Sequence, residues 1–315
     1  MRDAGPAIAC RAGYRATKLV RSASEWLDEG SLAAAGRKLG RSPAAVSRAI
    51  AFLEERVGTE LLHRTTRSIK LSEAGERYAA TCRRVLTELE DADAAATGER
   101  AIPRGTLTIT APVISGELVL RPILDAFLEA YPTVSVRTML IDRHVNLMEE
   151  GVDIALRIGH LEDSSMIAIR VGEVRRVVVA APRYLKQHPR IEQPADLAKH
   201  QVITMTHFTN SWTFAPAPGS SVPRAVQFAP RITTNSTRSA VASAISGLGV
   251  TRLFSYQVAE EVQLNELEVV LVTCEDPPMP VHVLSPHGRL SVPKVRAFTD
   301  FVVPRLRSQF ARLSK

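Results

Sequence analysis

Apolar residues recur at helical spacing in two consecutive segments near the N-terminus of the chain. The first segment, residues 32–39, follows a candidate N-cap at Ser31 and stops at Gly40. The second begins at Pro43, directly after another candidate N-cap, Ser42. Its apolar positions are spaced by four, three and four residues and predict one buried stripe: Val46, Ile50, Leu53 and Val57. Residues 61–71 then alternate apolar and polar positions, which predicts a short hairpin and hence a winged helix-turn-helix.

The outward side of the second helix is small and mostly uncharged, as a helix that enters the major groove by its N-terminus requires. The candidate base-contacting residues are Ser42, Pro43, Ala44, Ala45, Ser47 and Arg48. The hairpin places cations and hydroxyls where they can lie along a phosphate backbone. Its candidate contacts are Arg64, Thr65, Thr66, Arg67 and Lys70. The alternative is a small helical packing module whose cations are only solvated.

A long helix is predicted to follow, from an N-cap at Ser72 to about residue 96. Apolar positions spaced by three and four residues form a coiled-coil-like seam along it. The candidate dimerisation residues are Tyr78, Cys82, Val85 and Leu89. Two copies would present two recognition helices to a roughly palindromic operator. The alternative is that this seam packs on its own domain.

Beyond a Gly- and Pro-containing hinge at residues 97–105, strand and helix patterns alternate, which predicts parallel strands with helices on their faces. Strands are predicted at residues 106–111, 134–141, 153–157, 175–181, 201–205, 231–234, 269–273 and 281–284. Helices are predicted near residues 116–130, 145–150, 237–247 and 292–310. This succession predicts two α/β lobes with a ligand cleft at the carboxyl ends of their strands.

These patterns divide the chain into four parts. We expect a flexible extension over residues 1–16, a DNA-binding domain over 17–71, a linker and dimerisation helix over 72–100, and an effector-binding domain over 101–315. In the last part, lobe I is predicted to cover about 105–181 and 285–315, and lobe II about 182–284.

The net charge of +7 and the pI of about 9.6 indicate a polyanionic partner. Residues 31–71 hold eight Lys or Arg against three Glu, so most of the surplus lies in the predicted DNA-binding domain. No apolar run approaches the roughly 20 residues of a membrane helix, and we expect a cytoplasmic protein without membrane contact. The three cysteines are not spaced along the chain as metal ligands are, so neither a metal nor a cofactor is expected.

The N-terminal motifs resemble those of the LysR-type transcriptional regulators, and their form is similar to the CrgA-like subgroup of that family. The residues that carry the resemblance are Ser42-Pro43-Ala44-Ala45-Val46-Ser47, Leu61-Leu62, Arg64-Thr65-Thr66-Arg67 and Ser72-Glu73-Ala74-Gly75. The resemblance extends from about Ser24 to Arg307. It implies a periplasmic-binding-protein-like (type 2) effector domain, a dimer or tetramer, double-stranded operator DNA as partner, and RNA polymerase as a further partner.

The loop after the first predicted strand of lobe I leads into a helix N-terminus, where free N–H groups favour an anion. A small carboxylate is therefore the expected effector. With the positions that the resemblance adds, the candidate effector-binding residues are Pro112, Val113, Ser115, Asp142, Arg157, Gly159, Thr206, His207 and Asn235. Arg157 is either the counter-charge for the effector or part of a structural salt bridge.

A search for catalytic constellations finds no nucleophile elbow, zinc-protease motif, P-loop or dinucleotide fingerprint, so no catalytic residue is predicted. The sequence therefore predicts a transcriptional regulator controlled by a small-molecule effector. The alternative from another class is a small-molecule receptor or transport-type solute binder with an incidental basic N-terminus and no sequence-specific DNA binding.

Overall fold

The computed structural model describes residues 37, 40, 42–64, 69–79, 81, 82, 85, 102–143, 145–161, 166–206 and 210–313. These residues form two compact units, the first mainly from the N-terminal part of the chain and the second from most of the α/β part. The expected extension over residues 1–16 lies outside the described residues. The same holds for nearly all of the predicted helix over 32–39 and for the linker helix beyond residue 85.

In the first unit, helix α1 (Pro43–Val57) begins after the predicted N-cap and ends at Gly58, which adopts the left-handed conformation with φ 67°. Val46, Ile50 and Leu53 are buried, as the spacing predicted. Burial of Val57 is wrong, because this last helical residue is 42% exposed, next to the C-cap. Strands β1 (Leu62–Arg64) and β2 (Ile69–Leu71) form the predicted antiparallel hairpin, and residues 73–79 form helix α2.

In the second unit, the described residues build two five-stranded sheets, which we call lobe I and lobe II. The strands of lobe I are β3 (Gly105–Ala111), β4 (Val134–Leu140), β5 (Ile154–Ile158), β6 (Met166–Val174) and β14 (Met279–Pro286). Their order in the sheet is β4-β3-β5-β14-β6, with β3, β4 and β5 parallel and β14 antiparallel to both β5 and β6. The βαβ alternation over residues 106–157 thus gives the predicted parallel strands, and β14 makes the sheet a mixed one.

Two predictions for lobe I and its surroundings are wrong. Strand β14 belongs to the sheet of lobe I, so the predicted end of lobe II at residue 284 is too late. The helix expected near residues 145–150 is replaced by turns. The Asn146 side chain accepts from the backbone N–H groups of Met148 and Glu149, at 3.1 and 3.3 Å, and such local bonds compete with helix formation.

The helix after β3 begins at Val113, three residues earlier than predicted, and includes a π-helical turn, Gly116–Leu120, before helix α3 (Arg121–Ala130). Gly116 allows the Leu140 side chain to approach this turn closely, because a Cβ atom at Gly116 would lie 2.2 Å from a methyl carbon of Leu140. In the core of lobe I, Phe127 of α3 packs edge-on against Phe298 of the C-terminal helix (Pro293–Leu313).

The strands of lobe II are β7 (Arg176–Ala180), β8 (Val202–Met205), β11 (Pro230–Thr234), β12 (Val250–Phe254) and β13 (Glu268–Val270). Their order in the sheet is β11-β8-β12-β7-β13, in which β8 is parallel to β11 and β12 while β7 is antiparallel to β12 and β13. A separate hairpin consists of β9 (Ser211–Phe214) and β10 (Arg224–Gln227). Because β7 lies in this sheet, the prediction that lobe I extends to residue 181 is wrong.

Both faces of β7 are buried, which explains its continuous apolar sequence. Val178 and Ala180 pack with Trp212 and Phe214 of the hairpin on one face, together with helix α4 (Pro182–Gln187). Val177 and Val179 pack on the other face against helix α5 (Thr237–Ile245), which is followed later by α6 (Ala259–Gln263).

His200 gives lobe II a predicted dependence on pH. Its side chain is 5% exposed, Nδ1 lies 3.2 Å from the Tyr184 hydroxyl oxygen, and Nε2 has no hydrogen-bond partner in the described part of the chain. Burial, reinforced by the neighbouring His188, lowers the pKa of His200 from its ordinary value of 6.5. The folded state therefore binds a proton at His200 less readily than the unfolded state does. The free energy of unfolding is highest above the unfolded-state pKa of His200 and decreases as the pH falls from there towards the folded-state pKa.

We expect His200→Asn, which keeps a polar group near Tyr184 but cannot titrate, to reduce the loss of melting temperature between about pH 7.5 and about pH 5.5. Circular dichroism of the full chain measures this loss, and His287→Asn, at an exposed position, is the matched control. An equal loss in His200→Asn and the unmodified protein would show that His200 does not cause the dependence.

Candidate DNA-binding surface and effector cleft

The N-terminus of α1 presents the predicted base-contacting residues on one short stretch. The Ser42 hydroxyl accepts from the backbone N–H of Ala45 at 3.2 Å and so caps the helix. Ser42, Pro43, Ala44 and Arg48 are exposed, whereas Ala45 and Ser47 are half-buried. Small exposed side chains at a capped helix N-terminus leave the backbone accessible to a macromolecular partner.

The start of the wing is fixed by Glu54, which the sequence analysis did not single out. Its Oε1 accepts from the backbone N–H groups of Leu61 and Leu62, at 2.9 and 3.0 Å. One carboxylate on α1 thereby positions β1. Lys70 is exposed and lies opposite His63 in the hairpin. Of the other wing candidates, Arg64 is described by its backbone alone, and Thr65, Thr66 and Arg67 lie outside the described residues.

Ser72 connects the wing to α2, as its predicted capping role requires. Its hydroxyl donates to the Glu60 carbonyl at 2.7 Å and accepts from the Gly75 N–H at 2.9 Å. Gly75 allows the close approach, because a Cβ atom there would lie 2.1 Å from the Leu61 carbonyl oxygen. The Ser-x-x-Gly sequence is therefore a packing requirement of the hairpin and α2.

The candidate dimerisation residues are not all on one free surface of the chain. Tyr78 packs against Leu53 and Leu61 within its own unit, and Cys82 is 5% exposed. Tyr78 therefore contributes to the packing of the first unit, and its part with Cys82 in a seam for a second copy stays a prediction. Val85 is 50% exposed and stays available, and Leu89 lies outside the described residues.

At the carboxyl end of β3, the helix N-terminus predicted to bind an anion already contacts a carboxylate. The backbone N–H of Val113, which follows Pro112, donates to Oδ1 of Asp142 at 3.0 Å. Asp142 follows the neighbouring strand β4. The structure thus brings these predicted residues together, and the Asp142 carboxylate accepts from one of the N–H groups expected to face an effector anion.

Ser115 contacts lobe II directly. Its hydroxyl oxygen lies 2.7 Å from that of Tyr256, and both residues are buried, at 0% and 3% exposure. Burial raises the pKa of Tyr256 to about 12, so its hydroxyl keeps its proton near neutral pH. Gln257 donates to the Tyr256 hydroxyl at 3.4 Å. Sequence reasoning missed Tyr256, because its position two residues beyond β12 is shared in kind by many other residues that follow strands.

Arg157 is half-buried near the end of β5 and has protein partners. Its guanidinium donates to the Thr110 hydroxyl at 3.2 Å and to the Leu156 carbonyl at 3.0 Å. Gly159, two residues on, has φ 137°, and its N–H donates to the Pro280 carbonyl at 2.9 Å. The two predicted residues therefore lie at the same end of the lobe I sheet.

On lobe II, the backbone N–H of Thr206 donates to the Thr234 carbonyl at 2.9 Å. Asn235 follows Thr234 directly, and Ser236 caps α5 by accepting from the Ser239 N–H. Thr206 and Asn235 thus lie at the adjacent ends of β8 and β11, whereas His207 lies outside the described residues.

A second contact between the lobes involves two residues that the sequence analysis did not select. Arg238, in the first turn of α5, forms an ion pair with Glu117 in the π-helical turn of lobe I. Their side chains are 66% and 36% exposed. Neither residue could be identified from the sequence, because the two positions are 121 residues apart and no spacing pattern relates residues at that separation.

No helix in the described part of the chain is long and apolar enough to cross a membrane. Within those same residues, His, Cys, Asp and Glu side chains form no group of three or more that could hold a metal ion.

Comparison with known families matches residues 18–76 to "Bacterial regulatory helix-turn-helix protein, lysR family" and residues 100–307 to "LysR substrate binding domain". An HTH-type transcriptional regulator of Xanthomonas campestris pv. campestris (strain 8004) is 33% identical over 284 residues, 89% of this chain and 82% of the relative. CrgA of Neisseria meningitidis serogroup B (strain ATCC BAA-335 / MC58) is 30% identical over 283 residues, 89% of this chain and 93% of CrgA.

Solved structures agree with these matches. The full-length Vibrio cholerae virulence activator AphB, a member of the LTTR protein family, has a TM-score of 0.61 at 27% identity and covers 91% of this chain and 98% of its own. CrgA from Neisseria meningitidis, a LysR-type transcriptional regulator, has a TM-score of 0.59 at 29% identity, with the same two coverages.

A helix-turn-helix domain followed by a two-lobed regulatory domain defines a class of transcriptional regulators that respond to small molecules. The chain belongs to the LysR family of that class.

We expect Glu54→Gln to lower the stability of the DNA-binding domain by about 1–3 kcal/mol, because two charge-assisted hydrogen bonds become neutral ones. Thermal unfolding of the full chain, followed at the transition of this domain, measures the change. Glu55→Gln, at an exposed position on the same helix, is the control and should change stability by less than about 0.5 kcal/mol. Equal effects of the two variants would contradict the role of Glu54.

Proposed function

We propose that this LysR-type regulator reads its operator with the N-terminus of α1 and holds the DNA backbone with the wing. The observation that carries the proposal is the capped α1 N-terminus, where Ser42, Ala44 and Arg48 are exposed. Small residues there admit close approach to base edges, so they supply discrimination. Lys70 and the other wing cations supply affinity through phosphates, and Arg48 serves either purpose.

We propose a small anionic effector that binds between lobe I and lobe II. Support comes from Asp142 on lobe I and from Thr206 and Asn235 on lobe II, which follow the ends of strands as ligand-binding residues of α/β sheets do, and from Ser115 in the helical run after β3. Because Asp142 occupies the Val113 N–H, we assign the counter-charge to an arginine, with Arg157 as the first candidate. The two lobes would then resemble a periplasmic solute-binding protein in how they enclose a ligand.

We further propose that the regulator acts in the cytoplasm as a dimer or tetramer on a roughly palindromic operator, and that it contacts RNA polymerase. Regulators of the family bind operator DNA and small-molecule effectors and form oligomers. In this chain the exposed Val85 supports a contact along the linker helix. No catalytic step is proposed.

The DNA-binding proposal predicts a steep dependence of operator affinity on salt. Arg48→Ala and Lys70→Ala should each lower the slope of log affinity against log salt by about 0.9 if each cation contacts one phosphate. Fluorescence anisotropy with the DNA upstream of the regulator's own gene, against a scrambled fragment, measures this. Arg121→Ala, an exposed arginine of lobe I, is the control. Absence of sequence-preferring binding at low salt would refute the proposed operator contacts.

The effector proposal predicts that Arg157→Ala weakens the affinity for small carboxylates by about tenfold or more, because the carboxylate loses a charged partner in a half-buried site. The measurement is the shift in melting temperature that a panel of aliphatic and aromatic carboxylates produces, compared with the shift in Arg121→Ala. Operator affinity should stay within about twofold of the unmodified protein. An equal shift in both variants would remove Arg157 from the site.

A further inference from the structure

Two side-chain contacts join lobe I to lobe II beside the proposed effector residues. The Ser115 and Tyr256 hydroxyls are hydrogen-bonded at 2.7 Å, and Glu117 is paired with Arg238. Ser115 and Glu117 lie in the helical run after β3, whereas Tyr256 follows β12 and Arg238 begins α5. Both contacts therefore bridge the two sheets at neighbouring positions of one helical run.

The first contact closes off a residue that the effector is expected to touch. Ser115 is 0% exposed and Tyr256 is 3% exposed. A molecule in solution cannot contact the Ser115 hydroxyl while that hydroxyl is buried against Tyr256. Binding at Ser115 therefore requires the two lobes to separate locally at this point.

The two contacts differ in the strength that burial gives them. When a buried hydroxyl loses its hydrogen-bond partner, the cost of its desolvation is no longer offset. This cost corresponds to about a tenfold change in the equilibrium between the closed and the open contact. The Glu117–Arg238 pair is exposed to water on both sides, so it contributes little by itself and weakens further with salt. The hydroxyl pair thus dominates, and the ion pair adds to it.

The helical run that carries these contacts is irregular where they occur. Gly116–Leu120 forms a π-helical turn between Ser115 and α3. Such turns are frequent at functional sites. The irregular turn thus begins directly after Ser115, contains Glu117 and leads into helix α3.

We propose that the Ser115–Tyr256 and Glu117–Arg238 contacts form an interlobe latch, which holds the effector cleft closed in the effector-free protein and opens before an effector reaches Ser115. The inference rests on the proposed function, since it concerns the same cleft. It adds Tyr256 and Arg238 as positioning residues: they set the population of the open cleft, and hence the apparent affinity for any effector.

Amide hydrogen–deuterium exchange of the full-length protein, without added small molecule, tests the latch. In Tyr256→Phe, residues 113–120 and 237–245 should exchange about tenfold faster, and in Arg238→Gln about twofold to threefold faster. Tyr131→Phe and Arg121→Gln are the matched controls, because Tyr131 packs against Phe127 and Arg121 pairs with Asp125, both within lobe I. These controls should leave exchange in both segments unchanged.

Exchange in the core strands β3 and β7 separates the latch from general destabilisation. If those strands exchange faster to the same degree in Tyr256→Phe, or if residues 113–120 do not change, the latch is refuted. A charge reversal gives an independent check should Tyr256→Phe fold poorly. Glu117→Arg and Arg238→Glu should each accelerate exchange, and their combination should restore slow exchange. Failure of the combined variant to do so would remove the ion pair from the latch.

Operator binding by the same variants distinguishes failure of the latch proposal from failure of the proposed function. Anisotropy with the upstream DNA should show sequence-preferring binding whether or not the latch exists. Unchanged exchange with intact operator binding overturns only the latch. Loss of sequence preference in the unmodified protein overturns the proposed operator contacts.

Discussion

The chain passes between the two sheets of the regulatory domain twice, and control by an effector depends on this double connection. The first passage runs from β6 to β7 through Arg175, and the second runs from β13 to β14. Arg175 donates to both carboxylate oxygens of Glu275 at 3.1 Å, which ties the two passages together. Leu271, in the second passage, adopts φ 59°, a conformation that non-glycine residues rarely hold. The contact between Arg175 and Glu275 thus holds the two passages next to each other.

Several carboxylates of the regulatory domain pair with positive or N–H groups of the protein itself. Asp142 accepts from the Val113 N–H, Glu117 pairs with Arg238, and Asp276 accepts from the buried Arg252 at 2.7 Å. Under the proposed function, an effector that carries negative charge would compete with these carboxylates. Where such a pair joins the two lobes, as Glu117 and Arg238 do, effector binding would then be coupled to lobe movement.

In the DNA-binding domain, stability and positioning depend on short-range contacts around the wing. Glu54 on α1 fixes the first strand, and Ser72 with Gly75 fixes the return to α2. These groups lie within a few turns of one another in the chain, so the geometry of the wing relative to the recognition helix is set locally. The wing and α1 are therefore held in one local arrangement by the hydrogen bonds of Glu54 and Ser72.

The elements that could be predicted from the amino-acid sequence are those whose cause is local. The N-cap of α1, its buried stripe, the hairpin, the cap at Ser72 and the C-terminal helix follow from spacing and capping residues within one or two turns. Tertiary structure alone decided the antiparallel place of β14 in lobe I, the packing of Tyr78 on its own domain, and the pairs Ser115–Tyr256 and Glu117–Arg238. Those features join residues far apart in the chain, and periodicity carries no information on which distant partner satisfies a hydroxyl, a charge or a strand edge.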